Sequence, residues 1–287
     1  MMKKVALIVF ICVWSLPLLL FAQTGGKKGP PMSEETTACL GCHKEVTPGI
    51  VEDWLRSRHS KTMPTVAMKK PEIGRRISAK KVAPALGRVV VGCYECHSLN
   101  PDRHQDNFDH MGFNINVIVS PNDCATCHPV EVMEFSGSKK AHAVGNLAKN
   151  PVYRTLVETV INKKAVKEGK IVPLDASDFT RMETCFGCHG TEVKVAGMQE
   201  IETKMGMIEV PSLTQWPNQG TGRINPDGSF GACSACHARH EFSIEVARKP
   251  YTCAQCHLEP DVPAWNIYHE SKHGNIYASK SQQWNFT

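Results

Sequence analysis

The sequence predicts a mainly α protein of short helices and long loops, wrapped around bound groups and not around a core of its own side chains. Three observations lead there. Thirteen cysteines and thirteen histidines are spent in a chain of 287 residues, and twelve of the cysteines fall into six copies of Cys-x-x-Cys-His. Aromatic residues make up only 7% of the chain, too few to fill a core of this size. The helical windows are short and open on proline, which suits the first turn of a helix.

The six motifs are Cys39/Cys42/His43, Cys93/Cys96/His97, Cys124/Cys127/His128, Cys185/Cys188/His189, Cys233/Cys236/His237 and Cys253/Cys256/His257. Two thiols at this spacing add across the two vinyl groups of one haem, and the adjacent imidazole reaches the iron as proximal ligand. Zinc ribbons also use Cys-x-x-Cys pairs but do not need a histidine directly after each second cysteine. Disulfides and thioredoxin-type pairs do not need it either. The thirteenth cysteine, Cys12, lies near the N-terminus, so no cysteine after it is left over. The expected cofactor set is six covalently attached haem c groups, and the expected architecture is a multihaem cytochrome c built around a chain of haems.

The windows Pro48 to His59, Pro129 to His142, Pro151 to Gly169 and Pro263 to His273 read as helices. Two β-branched runs, Arg88 to Val91 and Asn116 to Val119, form at best a small hairpin. Pro211 to Gly231, rich in Gly, Asn and Pro, reads as loop.

Residues 1–22 read as a secretory signal peptide. Lys3 and Lys4 precede an apolar run from Val5 to Phe21, and Ala22-Gln23 is a small-residue cleavage point. Cys12 sits inside the apolar run, which argues against a lipoprotein anchor. Residues 23–32 form a Gly/Lys/Pro linker, and 33–287 form one haem-bearing domain. A leader of this kind places the mature protein in the periplasm or otherwise outside the cytoplasm. The formal charge of +5 includes Lys3 and Lys4, and two propionates per haem turn the loaded protein net negative. The basic composition is therefore no argument for nucleic acid. Lys and Arg side chains have propionates to pair with.

Seven histidines lie outside the motifs: His59, His104, His110, His142, His240, His269 and His273. Three follow an aromatic and a serine in a weak repeat. Trp54/Ser57/His59 and Tyr268/Ser271/His273 match it, and Phe135/Ser138/His142 matches with two residues inserted. On a helix these side chains share one face, which makes His59, His142 and His273 the expected distal iron ligands.

Several stretches resemble the octahaem hydroxylamine oxidoreductase family. They are CLGCHKEVTPGIVEDWLRSRH from Cys39 to His59, SPNDCATCHPVEV from Ser120 to Val132 and CFGCHGT from Cys185 to Thr191. To these are added NPDGS from Asn225 to Ser229, CSACHARHEFS from Cys233 to Ser243 and SKHG from Ser271 to Gly274. The likeness runs along nearly the whole mature chain and covers the first six of that family's eight haems.

The resemblance implies that the fourth haem, held here by Cys185, Cys188 and His189, is the catalytic one, with no protein ligand at its sixth position. The others are then bis-histidine relays. An open iron coordinates small nitrogen compounds such as hydroxylamine, hydrazine or nitric oxide. Histidine at 189, where the related pentahaem nitrite reductases have lysine, sets those enzymes aside. The family carries Gly-Pro-Asp-His after the sixth motif, its Asp and His acting as proton acceptors. Here the stretch is Glu259-Pro-Asp-Val262, so Asp261 keeps that role and Val262 cannot take a proton. The chain also ends at Thr287, before the family's last two haems and the long-helix domain that builds a trimer and supplies a tyrosine cross-linked to the catalytic haem. An unmodified catalytic haem is implied, tending toward reduction or other nitrogen oxides.

Three readings stand side by side: an oxidoreductase acting at the fourth haem, a pure electron carrier or subunit with every iron six-coordinate, and the front part of an octahaem enzyme whose gene is interrupted. The expected partner is a redox protein, either a small cytochrome c or a membrane quinone-linked cytochrome. A homo-oligomer fits the family pattern. The intact mass of the matured protein is expected to exceed that of the chain from Gln23 onward by six haems, and a mass corresponding to fewer than five would overturn the motif reading.

Overall fold

The computed structural model describes residues 29–287, so the signal-peptide reading and most of the linker lie outside the described residues. Of these residues 44% are helical and 15% are strand, and the chain is mainly α as expected. The helices are short, the longest running from Glu34 to Val46. Pro48, Pro64, Pro84, Pro121, Pro129 and Pro151 each stand at a first turn, where the missing N–H costs nothing.

Every motif falls on a helical turn. Motif 1 lies within Glu34–Val46, motif 2 is the helix Cys93–His97, and motif 3 follows the turn Pro121–Cys124. Motif 4 is the helix Cys185–His189, motif 5 opens on a 3-10 turn at Cys233–Ala235, and motif 6 on Tyr251–Ala254. A helical turn places residues i, i+3 and i+4 on one side, so a pair of thiols and the following imidazole project together.

The strands form three separate antiparallel hairpins. Strand β1 (Asn107–His110) pairs with β2 (Phe113–Asn116), β3 (Lys163–Lys167) with β4 (Lys170–Leu174), and β5 (Val195–Thr203) with β6 (Gly206–Leu213). The first two turn through Met111-Gly112 and Glu168-Gly169, all four residues at positive φ. That is the two-residue turn whose twist matches the strands, and it favours glycine at its second position.

Four expectations are corrected. The helix from Pro151 ends at Ile161 and the chain turns into β3, because the Glu168-Gly169 turn folds the Lys163–Leu174 stretch back on itself. The helices from Pro48, Pro129 and Pro263 stop at Arg56, Ser136 and Glu270, short of the histidines assigned to their faces. Residues 88–91 form no strand; Val90 N–H donates to Pro31 and Val91 N–H to His59. Asn116 instead pairs with Asn107. The stretch read as loop from Pro211 begins inside β6.

Fourteen apolar side chains are buried among the described residues, against twenty-eight large apolar side chains that are exposed. The buried ones form small islands: Leu40, Val51, Trp54 and Val90 around motifs 1 and 2, and Val157, Ile161 and Ala176 beside Phe186 of motif 4. Polar bonds tie the motifs to one another. Buried Glu95 accepts from Thr36 Oγ1 (2.7 Å) and from Gly92 N–H (2.9 Å), fastening motif 1 to motif 2. Asp227 accepts from Ser120 Oγ (2.7 Å) and Asn122 Nδ2 (2.9 Å), anchoring the 218–231 loop to motif 3. Burial alone would raise the pKa of Asp227, but these bonds and those from Ser229 outweigh it and hold it below the usual range.

The connection between motifs 2 and 3 is closed by a buried ionic triad. His104 Nδ1 bonds Asp106 Oδ1 at 3.0 Å and Nε2 bonds Asp123 Oδ2 at 3.1 Å, with all three side chains shielded from solvent. Both ring nitrogens face carboxylates, so the ring is an imidazolium. Burial alone would lower its pKa, but Asp106 and Asp123 raise it to about 10. A raised value contributes stability that is complete below the ordinary histidine value and disappears as pH rises through about 10. His104→Gln is expected to cost the haem-loaded protein on the order of 3–5 kcal/mol at neutral pH, as loss of one partner of a buried ion pair does. Thermal unfolding reads this, and the gap to wild type is expected to close above a pH of about 10. Equal unfolding midpoints at neutral pH would overturn the assignment.

Candidate functional site

A cavity of about 340 Å³ opens among motifs 1, 2, 3 and 5, within the range of a small-molecule pocket. Motifs 1, 2, 3 and 5 contribute to its wall through Cys39, His43, Cys93, His97, Cys124 and Cys233. Trp54, His59, His110 and His240 line it as well. None of the twelve motif cysteines is paired in a disulfide.

Eleven of the eighteen expected attachment residues do not line this cavity: Cys42, Cys127, His128, Cys236, His237 and all three residues each of motifs 4 and 6. Cys42 is exposed and stands outside the wall that its motif partners Cys39 and His43 line. His257, expected both to complete motif 6 and to ligate its iron, is half-buried and lies outside the same wall. The only helix of its motif, Tyr251–Ala254, ends before reaching it. It is held through its backbone instead, the carbonyl accepting from Trp265 N–H at 3.2 Å. Motif 6 lies beside motif 4, where Cys188 Sγ donates to the Gln255 carbonyl at 4.0 Å, and Cys253 and Cys256 are exposed.

Three motif histidines are oriented by bonds through Nδ1. His43 Nδ1 meets Thr47 Oγ1 at 2.9 Å, His97 Nδ1 meets the Asn116 carbonyl at 2.8 Å, and His189 Nδ1 meets the Ala143 carbonyl at 3.1 Å. Such a bond selects the tautomer whose Nε2 carries the free lone pair. Burial lowers the pKa values of His43, His97, His128 and His237, so these rings are neutral at neutral pH and able to bind a metal.

Two pairs of imidazoles face each other at the spacing of ligands that share a metal. The ring centroids of His43 and His110 are 6.3 Å apart, and those of His59 and His128 are 6.2 Å apart. A nitrogen-to-metal bond of about 2.0–2.1 Å on each side, with each centroid roughly 1.1 Å behind its nitrogen, gives about 6.3 Å. Burial and the nearby His128 lower His59 to about 4. Its Nδ1 is sealed from solvent without a hydrogen-bond partner, an orphan that a purely structural histidine does not leave. Burial and the charge of His97 lower His240 to about 4, and both residues line the same cavity.

The aromatic–Ser–His repeat is a local structure. In each copy the serine N–H donates to the aromatic carbonyl: Ser57 to Trp54 (2.9 Å), Ser138 to Phe135 (2.9 Å) and Ser271 to Tyr268 (3.0 Å). The serine Oγ then accepts from the N–H three residues on, in Ser60, Ala141 and Gly274. The repeat is thus a capped helix end that turns the histidine away from the helix axis, and not a shared helix face. The turn brings His59 to His128. His142 is exposed, with Nε2 bonded to the Ser136 carbonyl at 2.9 Å, and His273 is exposed near the start of Lys272–Lys280. His110 and His240 were not singled out by sequence. The signal available for His110 was its place at the end of β1, one residue before the Met111-Gly112 turn.

Motif 4 is wrapped by the loop after β6. Asn218 Nδ2 donates to the Phe186 carbonyl (3.0 Å), Thr221 N–H to the Cys188 carbonyl (3.0 Å) and Gly222 N–H to the His189 carbonyl (3.2 Å). Gly190 stands at φ +97°, and a Cβ there would come within 2.3 Å of Arg223 N, so this approach requires glycine. Burial raises the pKa of the Cys185 thiol, and the charge of Asp261, from the segment after motif 6, adds to that rise. Thiols from different motifs also meet: Cys39 with Cys93, Cys124 with Cys233, and Cys188 with Cys256. The bond from Cys93 lowers Cys39 to about 7, and that from Cys256 lowers Cys188 to about 7.

Thiol pairs on helical turns, oriented neutral imidazoles and a cavity among motifs 1, 2, 3 and 5 in a chain with little apolar core fit covalent haem, and define a multihaem c-type cytochrome. The model of the family described as "Cytochrome c554 and c-prime" matches residues 38–112 and 123–210, and that described as "Seven times multi-haem cytochrome CxxCH" matches 227–287. The first match covers more than half of the chain, which belongs to the cytochrome c554 and c-prime family and carries covalently bound haem c. A "Probable nitrite reductase-hydroxylamine oxidoreductase fusion protein" of Kuenenia stuttgartiensis is 25% identical over 296 residues, covering 94% of this chain and 26% of that one. A solved "Hypothetical multiheme protein" is 47% identical with a TM-score of 0.83, covering 91% of this chain and 50% of that one. The chain therefore spans about a quarter of the first and half of the second. The likeness to hydroxylamine oxidoreductase-type multihaem proteins read from the sequence holds. Among the described residues no helix is long and apolar enough to cross a membrane.

His110→Ala and His59→Ala are each expected to produce a new high-spin haem signal in the optical spectrum, because each removes one imidazole of a facing pair. A variant spectrum identical to wild type would remove that residue from the ligand set.

Proposed function

We propose that the protein is an exported hexahaem cytochrome that converts a small nitrogen compound at motif 4 and exchanges the electrons with a redox partner through the other haems. Each motif's two cysteines and histidine hold one haem, Cys42 from outside the wall of the central cavity and His257 beside motif 4. His110 serves as distal ligand opposite His43, His59 opposite His128, and His240 opposite His97. His142 and His273 serve the remaining relay irons through the same capped turn that presents His59. Haem iron, when bound, supplies one-electron chemistry and, where its sixth position is open, a coordination site for hydroxylamine, hydrazine or nitric oxide.

The observation that carries the enzymatic part of this reading is the position of Asp261. Its segment follows motif 6, yet its charge is felt at both thiols of motif 4. A carboxylate there can accept a proton from a bound nitrogen compound at its Oδ atoms and pass it to solvent, since Asp261 is exposed. Val262 beside it offers neither donor nor acceptor, so proton transfer rests on Asp261 alone. His189, held by the Ala143 carbonyl and the loop over its helix, is kept in one orientation. The three thiol contacts support electron transfer, because they make motifs 1 and 2, 3 and 5, and 4 and 6 neighbours. The partner is a small cytochrome c or a membrane quinone-linked cytochrome in the periplasm, and a homo-oligomer is compatible with the arrangement.

Cyanide or nitric oxide is expected to bind one haem per chain. Asp261→Asn is expected to slow hydroxylamine turnover by about 10²-fold or more without weakening cyanide binding, the share general acid–base help commonly contributes. Val262→His is expected to speed oxidation. A wild-type protein that binds no small ligand at any haem, oxidised or reduced, is an electron carrier and not an enzyme.

A further inference from the structure

The central cavity carries two cations that the chain itself does not neutralise. Arg223 is 2% exposed. Its Nε donates to Asn225 Oδ1 at 2.7 Å and its Nη1 to the Asn218 carbonyl at 2.8 Å, both uncharged acceptors. Arg239 lines the same cavity. With its amide oxygen turned toward Arg239, Gln219 accepts from Nε at 2.7 Å. Both guanidiniums lie over the Trp216 ring, 5.2 and 5.5 Å from its centroid. Among the described residues neither makes an ion pair with a carboxylate. The two acids whose charges reach Arg223 are engaged elsewhere, Asp106 with His104 and Asp227 with Ser120 and Asn122.

Arg223 is removed from water and bonded only to neutral groups, and Arg239, exposed beside the same ring, adds a like charge, an arrangement that is costly to hold unless an anion joins them. Burial and the charge of Arg239 both lower the pKa of Arg223, to about 10, so both groups remain cations at neutral pH. The planar fork of a guanidinium matches a carboxylate. The carboxylates that enter this cavity with the cofactor are haem propionates, which lie on the edge of the porphyrin away from the thioether bonds. The Cys233 thiol feels the charge of Arg223, so a haem bonded there turns its propionates elsewhere. Motif 2 fits better, because Arg239 directly precedes His240, and His240 lines the cavity together with Cys93, Cys96 and His97.

We propose that Arg223 and Arg239, aligned by Trp216, form a two-arginine clamp for the propionates of the haem held by Cys93, Cys96 and His97. This rests on the reading that motif 2 carries a haem with His240 on its distal side. The clamp offsets propionate charge and favours the reduced iron, so its loss lowers that haem's midpoint potential.

The test uses the full haem-loaded protein with Arg239→Gln, Arg239→Lys and Arg223→Gln, read by intact mass and by spectroelectrochemical titration at several pH values. One midpoint is expected to fall in Arg239→Gln, with its pH dependence moving toward neutrality as the propionate loses its cation. Arg239→Lys is expected to fall less. In a His240→Ala background, which marks the motif 2 haem as high-spin, adding Arg239→Gln is expected to move the marked haem. Should Arg223→Gln fail to fold, Arg239→Gln still decides, because Arg239 is exposed and touches the 218–231 loop only through the Gln219 side chain. A fully loaded wild type whose midpoints and pH dependence are unchanged in Arg239→Gln overturns the clamp. A shift at an unmarked haem overturns its assignment to motif 2. A wild type lacking the motif 2 haem by mass overturns the underlying six-haem reading.

Discussion

The structure depends on the bond between a short helical turn and a flat apolar group. A turn that presents two thiols and an imidazole on one side fixes the plane, the edge and one axial face of whatever is bonded to it. Polypeptide packing is left to do less. The buried apolar side chains of this chain form islands such as Leu40, Val51, Trp54 and Val90, and they sit against motif residues and not against one another across a continuous core. In an ordinary domain the hydrophobic contribution comes from side chain against side chain. Here the wall of the cavity waits for a surface that the chain does not encode.

That division of labour explains why so many polar contacts are buried. The Thr36–Glu95–Gly92 bonds and the His104 triad each join two motif-bearing segments, and the Asp227 contacts join motif 3 to the 218–231 loop. Apolar packing is non-directional and tolerates sliding, whereas a buried charge-assisted bond has one satisfactory geometry. Relative placement of the cofactor-bearing turns is what electron transfer needs, and the chain secures it with directional bonds. The same burial keeps His59 and His240 neutral, so the force that shields the cavity also leaves their lone pairs available.

How much could be read in advance follows from the range of each interaction. The six motifs and the short proline-opened helices were legible because they are local. His59 was legible because its capped turn is local too, although the turn was read as a continuous helix. His110 and His240 were not, because what identifies them is distance to a histidine tens of residues away. Nor does a motif say which way it faces: Cys42 and His257 belong to the same pentapeptide as Cys93 and His97, yet only the latter pair lines the central cavity. The β3–β4 hairpin was hidden behind the proline at 151, whose helix signal outweighed the Glu168-Gly169 turn. Asp261 came from family resemblance, and its approach to motif 4 then emerged from tertiary structure that no spacing rule contains.

The meetings of Cys39 with Cys93, Cys124 with Cys233 and Cys188 with Cys256 also bear on how the molecule is made. Thiols close enough to hydrogen-bond, with one of a pair brought to about 7 as for Cys39, are primed for oxidation to one another in a compartment that favours disulfides. Each such cross-link would consume one thiol from two different motifs and block both. In a compartment that favours disulfides, ligation of the cofactor before tertiary closure would keep these thiols from being consumed in that way.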